Sequence, residues 1–369
     1  MHRFTRLLSF LLALVLLAGI PLFLASCSNT VDGVALVSLG NRQNAGAKAG
    51  KTFEENIHIP DHINKFTITH VSAAGFRNHD LVTLSMADSI EYIESKAFYE
   101  CDKLTSITFG SGVQRIDEYA FAYCMSLEGL TLPENLTSVG DFAFAHCVSL
   151  ENLTLPEGLT HIGESAFYDC YTLTGVYMPD TVNKVDKNAF DNCAAMTSVR
   201  LSENLSYIPV AMLRGCEKLT EITLPSRITS IGDDAFNGCK SLCEIDIPQG
   251  VTSIGGCAFG DCDSLTAVTI PSGVRSIGYG AFWYCDSLSA VTISEGVTSI
   301  DAVAFMNCFS LTAITLPATL ESMGADVFGG CTSLTDVYYA GSEDQWNAIE
   351  GIEKVSLPEN VTIHFNYSA

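Results

Sequence analysis

The chain has 369 residues, 47% hydrophobic and 17% charged, which is enough apolar material for a large core. Its 42 Asp and Glu against 19 Lys and Arg leave a formal charge of −23. Such a surface repels phosphate backbones and anionic headgroups, so nucleic acid is excluded as an expected partner. The plain role of the acidity is solvation, and attraction of basic partners or loosely held cations is the alternative.

Arg3 and Arg6 precede an apolar run over 7–24, broken only by Ser9, Gly19 and Pro21. Leu24-Ala25-Ser26-Cys27 closes it. A charged start, an apolar middle and small residues before a cut site describe an export signal. The run is also long enough for an uncleaved membrane anchor. Leu-Ala-Ser-Cys resembles the bacterial lipobox. That resemblance implies that Cys27 takes a diacylglyceryl group and becomes the mature N-terminus, anchored by two acyl chains where one would not suffice. Residues 1–26 are therefore read as a lipoprotein signal peptide and 27–56 as a tether. The stretch 28–51 is rich in Asn, Gly, Ala and Ser without an aromatic residue, as expected of a flexible spacer, although Val and Leu at 31–39 allow a short strand.

A fixed period of 23 residues organises the remainder of the chain. The motif Ala-Phe-x-x-Cys ends at Cys101, Cys124, Cys147, Cys170, Cys193, Cys216, Cys239, Cys262, Cys285, Cys308 and Cys331, with Met212-Leu213 and Val327-Phe328 as variants. A weaker copy surrounds Phe76, where His79 replaces the cysteine. Within one unit, Leu265, Val268 and Ile270 carry leucine-rich-repeat spacing, and Val268 and Ile270 alternate with Thr269 as in a half-buried strand. Pro271 ends that strand, Val274 and Ile277 mark a second apolar segment, and Gly278 permits a tight bend. An isolated coil exposes both flanks of its apolar side chains and all its strand hydrogen-bonding groups, so coils are stable only when stacked. At ~4.8 Å between paired strands, eleven coils span roughly 50 Å.

The ends need covers. The segment 56–76 reads as a degenerate first coil. After Tyr339 the pattern stops: Ser342 can cap a short helix that turns Trp346 and Ile349 towards the last coil, and 361–365 alternates like a closing strand. The predicted fold is a repeat solenoid, mainly β with short turns and helical pieces. It is a right-handed leucine-rich-repeat superhelix of about 11–12 coils over 57–339 with a C-terminal cap over 340–369.

The repeated Leu-Thr-x-Ile-Thr-Leu-Pro, Ile-Gly-x-x-Ala-Phe and Cys-x-Ser-Leu pieces, with Trp346-Asn-Ala-Ile349 at the end, resemble the BspA-like (treponemal-type) leucine-rich-repeat family of bacterial surface proteins. The resemblance covers roughly 57–369. It implies adhesion to host matrix proteins or to other microbes and brings no catalytic motif. An extracellular protein or glycan ligand, a monomer, and no metal or cofactor are expected.

Fourteen cysteines in an exported chain first suggest disulfides. Eleven of them recur at one position per coil, an odd number, and in-register neighbours ~4.8 Å apart point the same way, which disfavours bridging. A buried thiol column is expected instead, with Cys243 and Cys257 outside it as the one conceivable bridge. No metalloprotease, phosphate-loop or nucleophile-elbow motif is present; Gly163-Glu-Ser165-Ala-Phe167 lacks the elbow's last glycine and belongs to the repeat text. His58, His62 and His70 lie close in sequence near the N-terminal cap, where surface histidines are expected rather than a metal cluster.

Solenoids bind through variable positions on a constant surface. The strand residue between the apolar anchors is Thr in most copies, and the departures are Tyr177, Arg200, Asp246 and Tyr338. Two positions earlier, small or amide residues give way to Glu221, Glu244 and Asp336. Tyr177, Arg200, Glu221, Glu244 and Asp246 are therefore expected to form a polar and aromatic patch at mid-solenoid, with drift on a solvated face as the alternative. A second candidate is the turn-side aromatic group Tyr279, Trp283 and Tyr284, followed by Phe309. The leading expectation is a cell-surface adhesin or scaffold. A carbohydrate-binding accessory lipoprotein is the first alternative, and a repeat-built hydrolase is the second.

Overall fold

The computed structural model describes residues 30–31, 33–38, 44–50 and 54–368. The predicted signal segment and Cys27 lie outside the described residues. The described residues form a β-solenoid of about 14 turns with coils of ~23 residues. The repeat motif alone marks fewer turns; the additional ones are the N-terminal coil carrying Asn56–Ile59 and the cap strand Thr362–His364.

Each regular coil contributes two short strands. The first, as in Ala267–Ile270, Ala290–Ile293 and Ala313–Leu316, pairs in parallel with its equivalent one coil away, Val268 against Val291 and Thr292 against Thr315. The second, as in Ser253–Ile254 and Ser276–Ile277, builds a parallel side sheet in the same register. Because the period is constant, every apolar position recurs in register and the core is a set of columns. Ring stacking is the plainest case. Phe76, Phe98, Phe121, Phe144, Phe167 and Phe190 form one stack, with Phe98 and Phe121 centroids 4.9 Å apart and Phe121 and Phe144 5.2 Å apart. Phe236, Phe259, Phe282, Phe305 and Phe328 form a second. Leu213 stands between the two.

The thiol column is present. All eleven ladder cysteines are free and buried. Each thiol donates to the carbonyl of the core residue in the preceding turn, as Cys124 Sγ does to Phe98 O (3.4 Å) and Cys285 Sγ to Phe259 O (3.1 Å). The thiol therefore satisfies a buried backbone acceptor as well as filling space. Cys243 and Cys257 are also unbridged. Cys243 occupies a hydroxyl column that satisfies carbonyls on the outside: Thr197 Oγ1 donates to Thr174 O (3.2 Å), Cys243 Sγ to Thr220 O (3.3 Å) and Ser289 Oγ to Thr266 O (3.0 Å).

The turn around Ala-Phe-x-x-Cys differs in one respect from the sequence reading. Gly278 was expected to supply a bend, but its requirement is close approach. A Cβ there would lie 2.6 Å from the Gly255 carbonyl carbon of the previous coil. The left-handed backbone falls on two other positions per coil, the residue before Ala-Phe and the residue before Cys, as at Tyr119 (φ 57°), Tyr123 (φ 63°), Phe142 (φ 54°) and His146 (φ 60°). Such conformations cost non-glycine residues about 1–2 kcal/mol. Coil-to-coil backbone bonds hold them, among them Tyr119 N to Asp141 O and Tyr123 N to Ala145 O.

The ends are covered, and one of them differently from expectation. Thr30–Val31, Val34–Ser38 and Asn44–Ala49 extend the side sheet, the last pairing in parallel with Phe66–Val71. Val34, Ala45 and Ala47 are buried. The short strand allowed at 31–39 is present as Val34–Ser38, and Asn44–Ala49, expected as flexible spacer, is a strand as well. Small side chains let this backbone lie flat on the first coil, where the unpaired edge of Phe66–Val71 supplies the hydrogen bonds. At the other end Ser342 caps the helix Glu343–Asn347 with a reciprocal bond to Gln345, and Trp346 and Ile349 are buried. Thr362–His364 pairs in parallel with Asp336–Tyr339 and closes the strand face. Among the described residues, no helix is long and apolar enough to cross a membrane.

Candidate functional site

The regularity fails around one coil. Pro209 stands where Gly232, Gly255 and Gly278 stand in later coils and Asp186 in the preceding one. Gly232 and Asp186 donate to Ile208 O and Ile162 O of the preceding coil. Proline has no such donor, and the side sheet stops at Lys184–Val185, resuming at Ser230–Ile231 apart from a bridge between Ile208 and Ile231. On the strand face the ladder has single breaks between Ser106–Thr108 and Gly129–Thr131 and between Asn152–Thr154 and Gly175–Tyr177, but its widest gap runs from Ser198–Arg200 to Ala267–Ile270, across two coils without a strand. Residues 221–224 and 244–247 form no strand, and no backbone bond is found among the described residues for any of their N–H groups.

This lapse opens a groove of about 630 Å³ lined by Glu221, Ile222, Glu244, Ile245 and Asp246, with Ser198 and Thr269 on the flanking coils. The groove brings together three of the five residues singled out in the strand-face patch. Their side chains are exposed, while Ile222 and Ile245 form the buried floor. No Lys or Arg lines it.

Tyr177 and Arg200 sit beside it as register partners on paired strands. The Arg200 guanidinium lies over the Tyr177 ring at 4.6 Å. It also donates to Met178 O (2.7 Å) and pairs with Asp180 (3.0 Å). The hydrogen bond to Arg200 holds the Asp180 carboxyl below its ordinary range. Arg200 is thus committed to the preceding coil, whereas Tyr177 presents 56% of its surface to solvent.

The turn-side candidate is a separate surface. Tyr279 is 57% exposed, and its column neighbours are Gly256 and Ala302, so no adjacent side chain of any size covers its ring. Trp283 is half-buried and lies against Gly260, where a Cβ would meet its ring at 2.4 Å. Tyr284 stands at 83° to Trp283 and 74° to Phe309, so these rings form an edge-to-face cluster rather than a flat platform. On the same edge further back, Tyr123 stacks on His146 at 4.3 Å, and His146 Nδ1 pairs with the buried Asp169 carboxylate at 3.1 Å. Asn192 also donates to Asp169. Buried Asp191 is held by Arg214 of the next coil and by Asn188 of its own. Sequence reading missed Asp169 and Asp191 as structural carboxylates, because turn acids look alike until burial is known.

Chemistry has little to work with elsewhere. Burial pushes the Cys147 and Cys239 thiols up to about 12, so these two are neutral and poor nucleophiles at ordinary pH. His58, His62 and His70 bond to three different hydroxyls, those of Ser85, Thr67 and Thr69, and do not converge. No group of three or more His, Cys, Asp or Glu side chains placed to hold a metal ion occurs among the described residues.

The family model for the BspA type leucine rich repeat region (6 copies) matches residues 69–197, 114–243 and 231–350. The chain belongs to this family, a class of repeat proteins with a protein-binding role. Among solved structures it is similar to a leucine rich cell surface protein from Faecalibacterium prausnitzii, at 27% identity and TM-score 0.53, covering 87% of this chain and 97% of that one. A leucine-rich repeat protein from Bacteroides ovatus shares the fold at 22% identity and TM-score 0.59, covering 91% and 99%. The pneumococcal vaccine antigen PcpA shares it at 20% identity and TM-score 0.57, covering 92% and 87%. No curated protein matches the chain.

Proposed function

We propose that this chain is an exported, lipid-anchored bacterial surface protein that binds extracellular protein partners through the mid-solenoid strand face, as an adhesin or scaffold rather than a catalyst. The observation that carries the reading is the groove over 221–246. It lies where the repeat departs from its own text and where backbone N–H groups find no partner among the described residues. Tyr177 beside it is an exposed, pre-positioned aromatic of the kind that anchors interfaces. The cell-surface name of the Faecalibacterium prausnitzii neighbour supports the location, and the Leu24-Ala25-Ser26-Cys27 sequence supports anchoring through Cys27. A carbohydrate-binding role on the turn edge is the second reading, favoured by the uncovered ring of Tyr279.

Two experiments test this. The full chain, screened against matrix proteins and a glycan array, should yield a protein ligand whose affinity drops at least about tenfold when Tyr177, Arg200 and Asp246 are all changed to alanine. An unchanged affinity, or a glycan ligand lost on Tyr279→Ala, would move the function off the strand face. For the anchor, wild-type protein should partition into detergent and incorporate fatty acid, and Cys27→Ser should do neither.

A further inference from the structure

We infer that the groove takes a cationic partner: an extended segment of another protein carrying Lys or Arg side chains that meet Glu221, Glu244 and Asp246. This rests on the strand-face reading above and names the partner class. Glu221 and Glu244 occupy the same column one coil apart, and Asp246 lies two residues later. Like charges placed opposite each other weaken strand pairing. Among the described residues, none of the three has an ion pair or a side-chain hydrogen bond. The ladder is missing where they sit, and Thr220, which begins this coil, makes no bond to Thr197 although Thr197 bonds to Thr174.

The molecule contains its own control. Asp336 occupies the same column in the last repeat coil. There His364 Nε2 meets its carboxylate at 2.7 Å and Thr335 donates at 2.8 Å. Asp336, Val337 and Tyr338 are laddered to both neighbouring strands. The one other charge in these two columns, Arg200, is likewise answered by Asp180, and its strand pairs with that of Tyr177. Charge that is met is compatible with the ladder; the unmet charges lie where two successive coils carry no strand and the groove opens, a wider loss than the single breaks at the uncharged pairs Ser106/Gly129 and Asn152/Gly175. A cationic side chain from outside would do for Glu221, Glu244 and Asp246 what His364 does for Asp336. The overall charge of −23 would steer a basic segment towards the surface, and the groove would hold it.

The test uses the full chain and two labelled ten-residue peptides, one alternating Arg and Ser, the other Gln and Ser. The Arg peptide should bind with an affinity that falls steeply with salt, and the Gln peptide should bind at least about tenfold more weakly. The triple variant E221Q/E244Q/D246N should lose at least about tenfold in Arg-peptide affinity, and a charge-matched control, E134Q/E157Q/E359Q, less than about threefold. Amide exchange at 221–224 and 244–247 should slow when the Arg peptide is bound. E244Q alone, a milder change, should show a partial loss in the same direction. Equal affinity of the triple variant and wild type, or equal loss in the control, would overturn the inference. If in addition the variant with alanine at Tyr177, Arg200 and Asp246 still bound its protein ligand, the strand-face reading would fall too. If that ligand were lost while the Arg peptide was indifferent to the carboxylates, only the inference would fail.

Discussion

The coils over 267–339 and those over 198–247 are written in the same 23-residue text, yet only the first set is fully laddered. In the C-terminal set the outer columns run Ala267, Ala290, Ala313 and Thr269, Thr292, Thr315. Small and β-branched residues pair without conflict, and four-residue strands result. In the middle set the same columns carry Glu221, Glu244 and Asp246, the core column drops from Phe to Leu213, and Pro209 removes a donor from the side sheet. What continues across both sets is the thiol column, through Cys216 to Phe190 O and Cys239 to Leu213 O. Buried columns thus set the coil stacking, while the exposed columns decide whether a given gap is zipped.

Variants sharpen this contrast. The largest effect is expected from Phe282→Ala, which removes a ring stacked on both faces and should cost about 3–5 kcal/mol. Leu213→Ala should cost less, about 2–3 kcal/mol, because that site is already a break in the stack. Urea melts of the two variants measure the difference, and a larger loss at Leu213 would remove the distinction between the regions.

The thiol column predicts a pH dependence. A thiol whose pKa is raised by folding, as burial raises Cys147 and Cys239, favours the native state while it holds its proton. That contribution is whole below the unfolded thiol range near pH 9 and is lost as pH climbs towards 12. Melting temperature should therefore fall steadily above about pH 9 under reducing conditions. Replacing Cys147 and Cys239 by alanine should make that decline shallower.

Placing the alanine of the C-terminal column into the middle set is a gentler test. Glu221→Ala with Glu244→Ala should raise stability by about 0.5–1 kcal/mol, by removing repulsion across the gap. The smallest effect belongs to Tyr177→Ala, which should change stability by less than about 0.5 kcal/mol, since its ring is mostly in solvent. A large loss there would mark Tyr177 as structural.

Much of this architecture was legible beforehand, because a solenoid core is periodic in sequence. The Phe and Cys columns could be read from spacing alone, and so could the capped helix at Ser342, whose pattern is local. The pairing of Asn44–Ala49 was hidden, because its Ala and Gly carry no alternating pattern and the strand is stabilised by a neighbour's open edge. The five patch residues stood out as departures from a column. That three of them sit over a missing ladder could not be read, because the lapse depends on whether each charge finds a partner across the coil. Asp336 and Glu244 look equivalent in the repeat text and behave oppositely for that reason.

Amide hydrogen exchange on the free full chain, resolved to single residues, tests the account most directly. It predicts exchange at 222–224 and 245–247 at least about a hundredfold faster than at 268–270 and 291–293, because the first two segments lack backbone partners and the last two are laddered. Equal protection in the two regions would mean that the strand face is uniformly zipped, and neither the groove nor its proposed partner would have a physical basis.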